Sequence, residues 1–190
     1  FDCVHLGFTR KYGKVGQFLN TGSGGDTSED LLNRFDLDAG FFKPHFVLLT
    51  IGGNDSRVMD VERFGANLRE LHRRFEALDT KVIFQTYYAP DSTEENPHCA
   101  FYNFSDCVRQ VARETGSYLI DNLRRWLPFR GHHYDLYQTL MLDEFHLNEG
   151  GNRVYGYDIA RSIGCPLEEP DTSHWSEAIR VQQLMDERSL

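Results

Sequence analysis

The sequence predicts an α/β fold built on a parallel sheet. Segments rich in apolar, β-branched or aromatic residues recur at Gln17–Leu19, His45–Ile51, Lys81–Tyr87 and Ser117–Ile120, and each gives way to a loop and then a helical pattern. Strands alternating with helices pair in one direction, because each helix returns the chain to the starting edge of the sheet. Size supports this reading: 190 residues, 40% hydrophobic and 13% aromatic, suffice for one domain with a substantial core.

The chain opens unusually. His5–Tyr12 reads as the end of a helix, yet a doubly wound sheet begins with a strand and the first residue is not Met. Part of the protein is therefore expected to precede Phe1. Further on, Val61, Phe64, Leu68, Leu71, Phe75 and Leu78 recur at steps of three and four with Arg and Glu between them, which predicts a helix over Val61–Leu78 with one buried face. A second helix is expected from about Phe101 to Thr115. A third starts after Asn148 as N-cap and stops at Gly164, with Pro166 beyond.

The loops at Tyr88–Pro97 and Asp121–Tyr134 are expected to form the rims of a pocket. Phe41, Phe42, Tyr87, Tyr88, Phe101, Tyr102, Trp126 and Phe129 either line that pocket or belong to the core. Residues 1–165 form the expected domain. Residues 166–190 form a polar tail in which Ser173–Arg188 is amphipathic through Trp175, Ile179, Leu184 and Met185.

A net charge of -9 argues against a nucleic-acid or anionic-lipid surface, since both need clustered Lys and Arg. No apolar run approaches the roughly 20 residues of a membrane span. Cys3, Cys99, Cys107 and Cys165 show no C-x-x-C spacing, and the eight histidines no H-E-x-x-H, so neither a metal nor another cofactor is expected. Charge and cysteine use point to the cytoplasm, or to secretion if a signal peptide has been removed.

Three segments could carry chemistry. Asn20–Ser28 is a glycine turn that follows a short strand and precedes a helix opening with Glu29 and Asp30. It is either a flexible turn or one whose backbone N–H groups meet an anion. It lacks the spacing of a P-loop or a dinucleotide fingerprint. Thr50–Asp55 ends the most apolar strand at the edge where open α/β sheets bind ligands. There Asn54 either forms a local Asx turn or offers its amide N–H₂ to a developing oxyanion. Asp143 and His146 share a turn just before the last core helix, as a solvated pair or as an acid–base pair in which the carboxylate fixes the imidazole tautomer.

Order and spacing of these segments resemble the SGNH, or GDSL-type, hydrolases from about Gln17 to Gly164. Gly25 in Gly-Gly-Asp-Thr looks like the family's second-block glycine, Asn54 in Gly-Gly-Asn-Asp like its third-block asparagine, and Asp143 and His146 like its fifth-block pair. The resemblance implies a three-layer αβα sandwich of flavodoxin-like type, with a parallel sheet of about five strands, the first of them expected ahead of Phe1. It also implies that Gly25 and Asn54 form the oxyanion hole and that Asp143 and His146 belong to a Ser-His-Asp triad acting on a small-molecule ester.

One departure stands out. The family's Gly-Asp-Ser turn, which carries the nucleophile, does not occur in these residues. The serine is expected upstream of Phe1, and the 190 residues by themselves are expected to turn over little or no ester. Ser23 and Ser56 lack the sharp strand-to-helix exposure of a nucleophile and are expected to serve the local backbone. Two other functions stay open: a catalytically inactive binding module that keeps the crevice, and a flavodoxin-like domain that holds a nucleotide or phosphate on the glycine turn.

Overall fold

A computed structural model describes residues 1–91, 100–167 and 176–187. The chain falls into two compact units, one comprising Phe1–Asn20, Tyr88–Asp91 and Arg124–Leu190, the other Thr21–Tyr87 and Ser92–Leu123.

The second of these holds the sheet. Strands β1 (Phe46–Thr50), β2 (Lys81–Gln85) and β3 (Tyr118–Ile120) lie in chain order and are parallel throughout. Phe46 pairs with Lys81 at one end and Thr50 with Gln85 at the other. The intervening helices explain the parallel arrangement. In chain order, α1 is Asp2–Tyr12, α2 is Ser28–Asp38, α3 is Asp55–Val58, α4 is Val61–Glu76 and α5 is Ala100–Thr115. Helix α4 leads from β1 to β2 and α5 from β2 to β3, so each strand is re-entered from the same end.

Asp60 starts α4 by accepting the Arg63 N–H at 2.7 Å, and the periodic residues Phe64, Leu68, Leu71 and Phe75 are buried. They form one core with Phe35 of α2, Leu49, Val82 and Phe84 of the sheet, and Phe104, Val108 and Val111 of α5. Ring pairs fix the angles within it: Phe35 meets Phe75 edge-on at 4.8 Å, and Phe64 meets Phe104 at 4.9 Å.

The other unit is helical: α1, the greater part of α6 (Asn122–His132), α7 (Tyr134–Gln138), α8 (Glu149–Ser162) and α9 (Ser176–Glu187). Helices α1 and α8 pack closely because glycine stands at the contact. A Cβ on Gly156 would lie 2.8 Å from Cys3 Sγ. Arg125 on α6 donates to both Gln182 and Asp186 of α9, and Arg161 on α8 reaches the same two side chains.

Three expectations are corrected. Gln17–Leu19 is not a strand: the segment lies between Gly13, Gly16 and the glycine turn, and Phe18 packs its ring on His5 and Phe8 of α1 at 4.8 and 5.2 Å. The described sheet accordingly has three strands rather than about five. The segment Asp121–Tyr134 is not a loop but largely α6, which contains Pro128 and buries Trp126 and Phe129 completely. Tyr88 and Phe101 are also core residues, whereas Phe41 and Phe42 are exposed. The expected loop beyond Asp91 and the start of the tail helix, with Trp175, lie outside the described residues.

Removing the ring at the centre of this core tests the packing. Phe64→Ala is expected to destabilise the protein by about 3–5 kcal/mol, read as a lower urea midpoint. An unchanged midpoint would contradict a fully buried Phe64.

Candidate active site

The segment 141–147 is a narrow turn whose ends are bridged by the antiparallel pair Met141 and Leu147, and Leu142 N–H donates to His146 O at 2.7 Å. Beneath it, Asn148 caps α8 by accepting the Gly151 N–H at 3.0 Å while its amide donates to Thr139 O at 2.7 Å. Only glycine fits at 151, because an added Cβ would sit 2.2 Å from Leu140 O. From above, Tyr88 donates its hydroxyl to Phe145 O and Asp91 its N–H to Glu144 O at 2.8 Å.

Within the turn, one oxygen of Asp143 accepts the backbone N–H of Phe145 at 2.8 Å and of His146 at 2.6 Å. Its two oxygens lie 3.1 and 2.9 Å from His146 Nδ1. The predicted pair is therefore brought together. Both side chains are exposed, His146 at 68% and Asp143 at 53%, so the geometry is held by backbone donors rather than by burial. Those two backbone N–H bonds, followed by the imidazole, hold the Asp143 carboxyl down at about 2. With the carboxylate on Nδ1, the imidazole's Nε2 is the nitrogen left to exchange a proton with a reacting group.

In the sheet-bearing unit, Gly25 has φ +91°, a conformation that L side chains rarely adopt. The glycine turn is pinned rather than loose. Arg34 Nε donates to the Asp26 carboxylate at 2.8 Å and its Nη1 to Thr21 O at 2.8 Å, while Thr27 and Asp30 form a reciprocal capping box at the start of α2. Asn54 does not cap α3 with its side chain. Instead its Nδ2 donates to Asp26 O at 3.0 Å, which brings the asparagine onto the backbone next to Gly25. An amide nitrogen carries two hydrogens, and this bond uses one. Ser56 donates its hydroxyl to Gly53 O, as expected of a turn residue.

No local pattern marks Arg34 as the side chain that holds Asp26 and Thr21 O, or marks the bond from Tyr88, a pocket-or-core candidate, to Phe145 O 57 residues away. Among the described residues, no three His, Cys, Asp or Glu side chains are grouped as metal ligands, and no helix is long and apolar enough to cross a membrane.

The model of the GDSL-like lipase/acylhydrolase family matches residues 7–154. The chain belongs to this family. Acylhydrolases of this kind cleave ester bonds, and all four predicted site residues fall within the matched span. This acylhydrolase is 26% identical over 158 residues to an acetylxylan esterase of Geobacillus stearothermophilus, a match that covers 77% of the chain and 71% of that relative. Among solved structures, it superposes on the acetylxylan esterase of the same organism with a TM-score of 0.74 at 24% identity, covering 85% of this chain and 78% of that one. An α/β hydrolase enzyme from the metagenome of Lake Arreo, Spain, superposes with a TM-score of 0.77 at 23% identity, covering 88% and 82%. At these identities the likeness shows the fold, the αβα sandwich expected from the motifs.

The depressed Asp143 has a direct readout. Its carboxyl carbon, followed by NMR, is expected to titrate near pH 2 rather than near the ordinary 3.8. Because the folded value is the lower one, the pairing favours the folded turn above about pH 4 and is lost as pH falls through 2. A midpoint near 4 would mean that the backbone donors do not engage the carboxylate.

Proposed function

We propose that this acylhydrolase cleaves carboxylic esters by serine acyl transfer, with Asp143 and His146 as the acid–base pair and with Gly25 and Asn54 as oxyanion donors. The observation that carries the reading is the contact of the Asp143 carboxylate with His146 Nδ1, 2.9 Å at its shorter distance. That contact assigns the ring's two nitrogens different jobs.

In the proposed cycle the nucleophilic serine gives its proton to His146 Nε2 as it attacks the ester carbonyl. The imidazolium formed is stabilised by Asp143, and the carbonyl oxygen becomes an oxyanion held by Gly25 N–H and the Asn54 amide. Collapse of the intermediate expels the alcohol, which takes the proton from His146. Water then repeats the sequence on the acyl-enzyme and releases the acid. The positive φ of Gly25 and the bond from Asn54 to Asp26 support the oxyanion assignment, since both act on one short stretch of backbone.

The names of the relatives direct the choice of substrate. Acetylxylan esterases remove a small acyl group from a carbohydrate, so acetylated xylo-oligosaccharides and aryl acetates are the first esters to try. In the full-length protein, His146→Ala is expected to lower kcat on an aryl acetate by on the order of 10⁴ or more. Asn54→Ala is expected to lower it by about 10²–10³. Wild-type turnover in His146→Ala would sink the assignment.

A further inference from the structure

Asp55, the residue after Asn54, is completely buried, and so is Ser28, three residues after Gly25. The sequence places them on different segments, yet the fold joins them. Asp55 Oδ1 accepts both the backbone N–H of Ser28, at 2.8 Å, and its hydroxyl, at 2.5 Å. The Ser28 oxygen in turn accepts a bond from Asn67 Nδ2 of α4 at 2.9 Å. The buried Ser28–Asp55 pair, backed by the half-buried Asn67, thus anchors the start of α2 to the start of α3.

Stability alone is a poor reason for this arrangement. Taking a carboxylate out of water is costly unless each oxygen is satisfied, and Asp55 Oδ2 has no hydrogen-bond partner among the described residues. Capping accounts for only part of it: Thr27 and Asp30 already satisfy each other's N–H at the start of α2, and Asp55 takes the Ser28 N–H but also the Ser28 hydroxyl, which no helix end requires. What the network does fix is spacing. Asn54 donates across to Asp26 O, and one residue on Asp55 accepts back from Ser28. Two bonds of opposite direction, from adjacent residues of one segment to residues two apart on the other, prevent the segments from sliding past one another.

We propose that Asp55 and Ser28 are positioning residues, which hold the Asn54 amide in register with the Gly25 backbone. This rests on the oxyanion reading of Gly25 and Asn54 given above. Donors to a developing oxyanion must be placed to within about 0.5 Å, and displacement by 1 Å costs roughly 10²-fold, so a clamp behind them acts on turnover more than on substrate affinity.

The test is a double-mutant cycle in the full-length protein with an aryl acetate as substrate. Ser28→Ala removes the hydroxyl bond with little change of volume, and is expected to lower kcat by roughly 10-fold while KM moves by less than about 2-fold. Asp55→Asn is expected to act in the same direction. Combining Ser28→Ala with Asn54→Ala is expected to cost less than the product of the two single losses, since the clamp has one donor fewer to place. Losses that multiply, or wild-type kcat in Ser28→Ala beside a severely impaired Asn54→Ala, would overturn the positioning role and leave the oxyanion hole standing. Wild-type turnover in Asn54→Ala would remove the oxyanion reading and the clamp with it. Should Asp55→Asn not fold, the Gly25 amide resonance in ¹⁵N-labelled Ser28→Ala reads the displacement without turnover. It is expected to move, and an unmoved resonance contradicts the proposal.

Discussion

An exposed carboxylate and an exposed imidazole three residues apart do not by themselves stay in contact. Water competes for both, and an isolated surface pair contributes little. What makes Asp143 and His146 a defined pair is that the same carboxylate accepts two backbone N–H groups, from Phe145 and from His146 itself. Those bonds curl the turn around the carboxylate and deliver the imidazole to it. The remaining supports all serve the same end: the bridge from Met141 to Leu147 that closes the turn, the Asn148 cap, and the bond from Tyr88 to Phe145 O.

The proposed oxyanion side follows the same logic with different groups. The turn at Gly25 needs a positive φ, which glycine supplies, and it needs holding, which Arg34 and the Thr27–Asp30 box supply. Asn54 and Asp55 then face this turn with one donor and one acceptor. In both places the chemistry-bearing group is small and the apparatus that orients it is mostly backbone hydrogen bonding. That suits an acyl-transfer site, where donors preorganised for the transition state contribute more than tight binding of the substrate.

How far this could be read in advance depended on range. Helix α4 was legible because six apolar residues from Val61 to Leu78 recur at helical spacing, the last of them just past its end, and the Asn148 start of α8 because its cap is local. The four candidate site residues were legible only together, through their order along the chain. Helix α6 was hidden by Pro128, whose missing N–H argues against a helix interior, while the fully buried Trp126 and Phe129 decide otherwise. Gln17–Leu19 had strand composition, but Phe18 found its partners on α1. Asp55 and Ser28 are 27 residues apart and Tyr88 and Phe145 are 57 apart, and no periodicity connects either pair. Such ties depend on how the chain folds back on itself.

The acid–base pair depends most directly on the Asp143 carboxylate. Asp143→Asn keeps an oxygen that can accept the Phe145 and His146 backbone N–H groups, so the turn survives while the charge that orients and stabilises the imidazolium is lost. Measuring kcat/KM of that variant on an aryl acetate, with circular dichroism to verify the fold, separates the two jobs. A fall of about 10⁴ with the fold intact is the predicted result; a folded variant with wild-type kcat/KM would contradict the assignment of Asp143 and His146 as the acid–base pair.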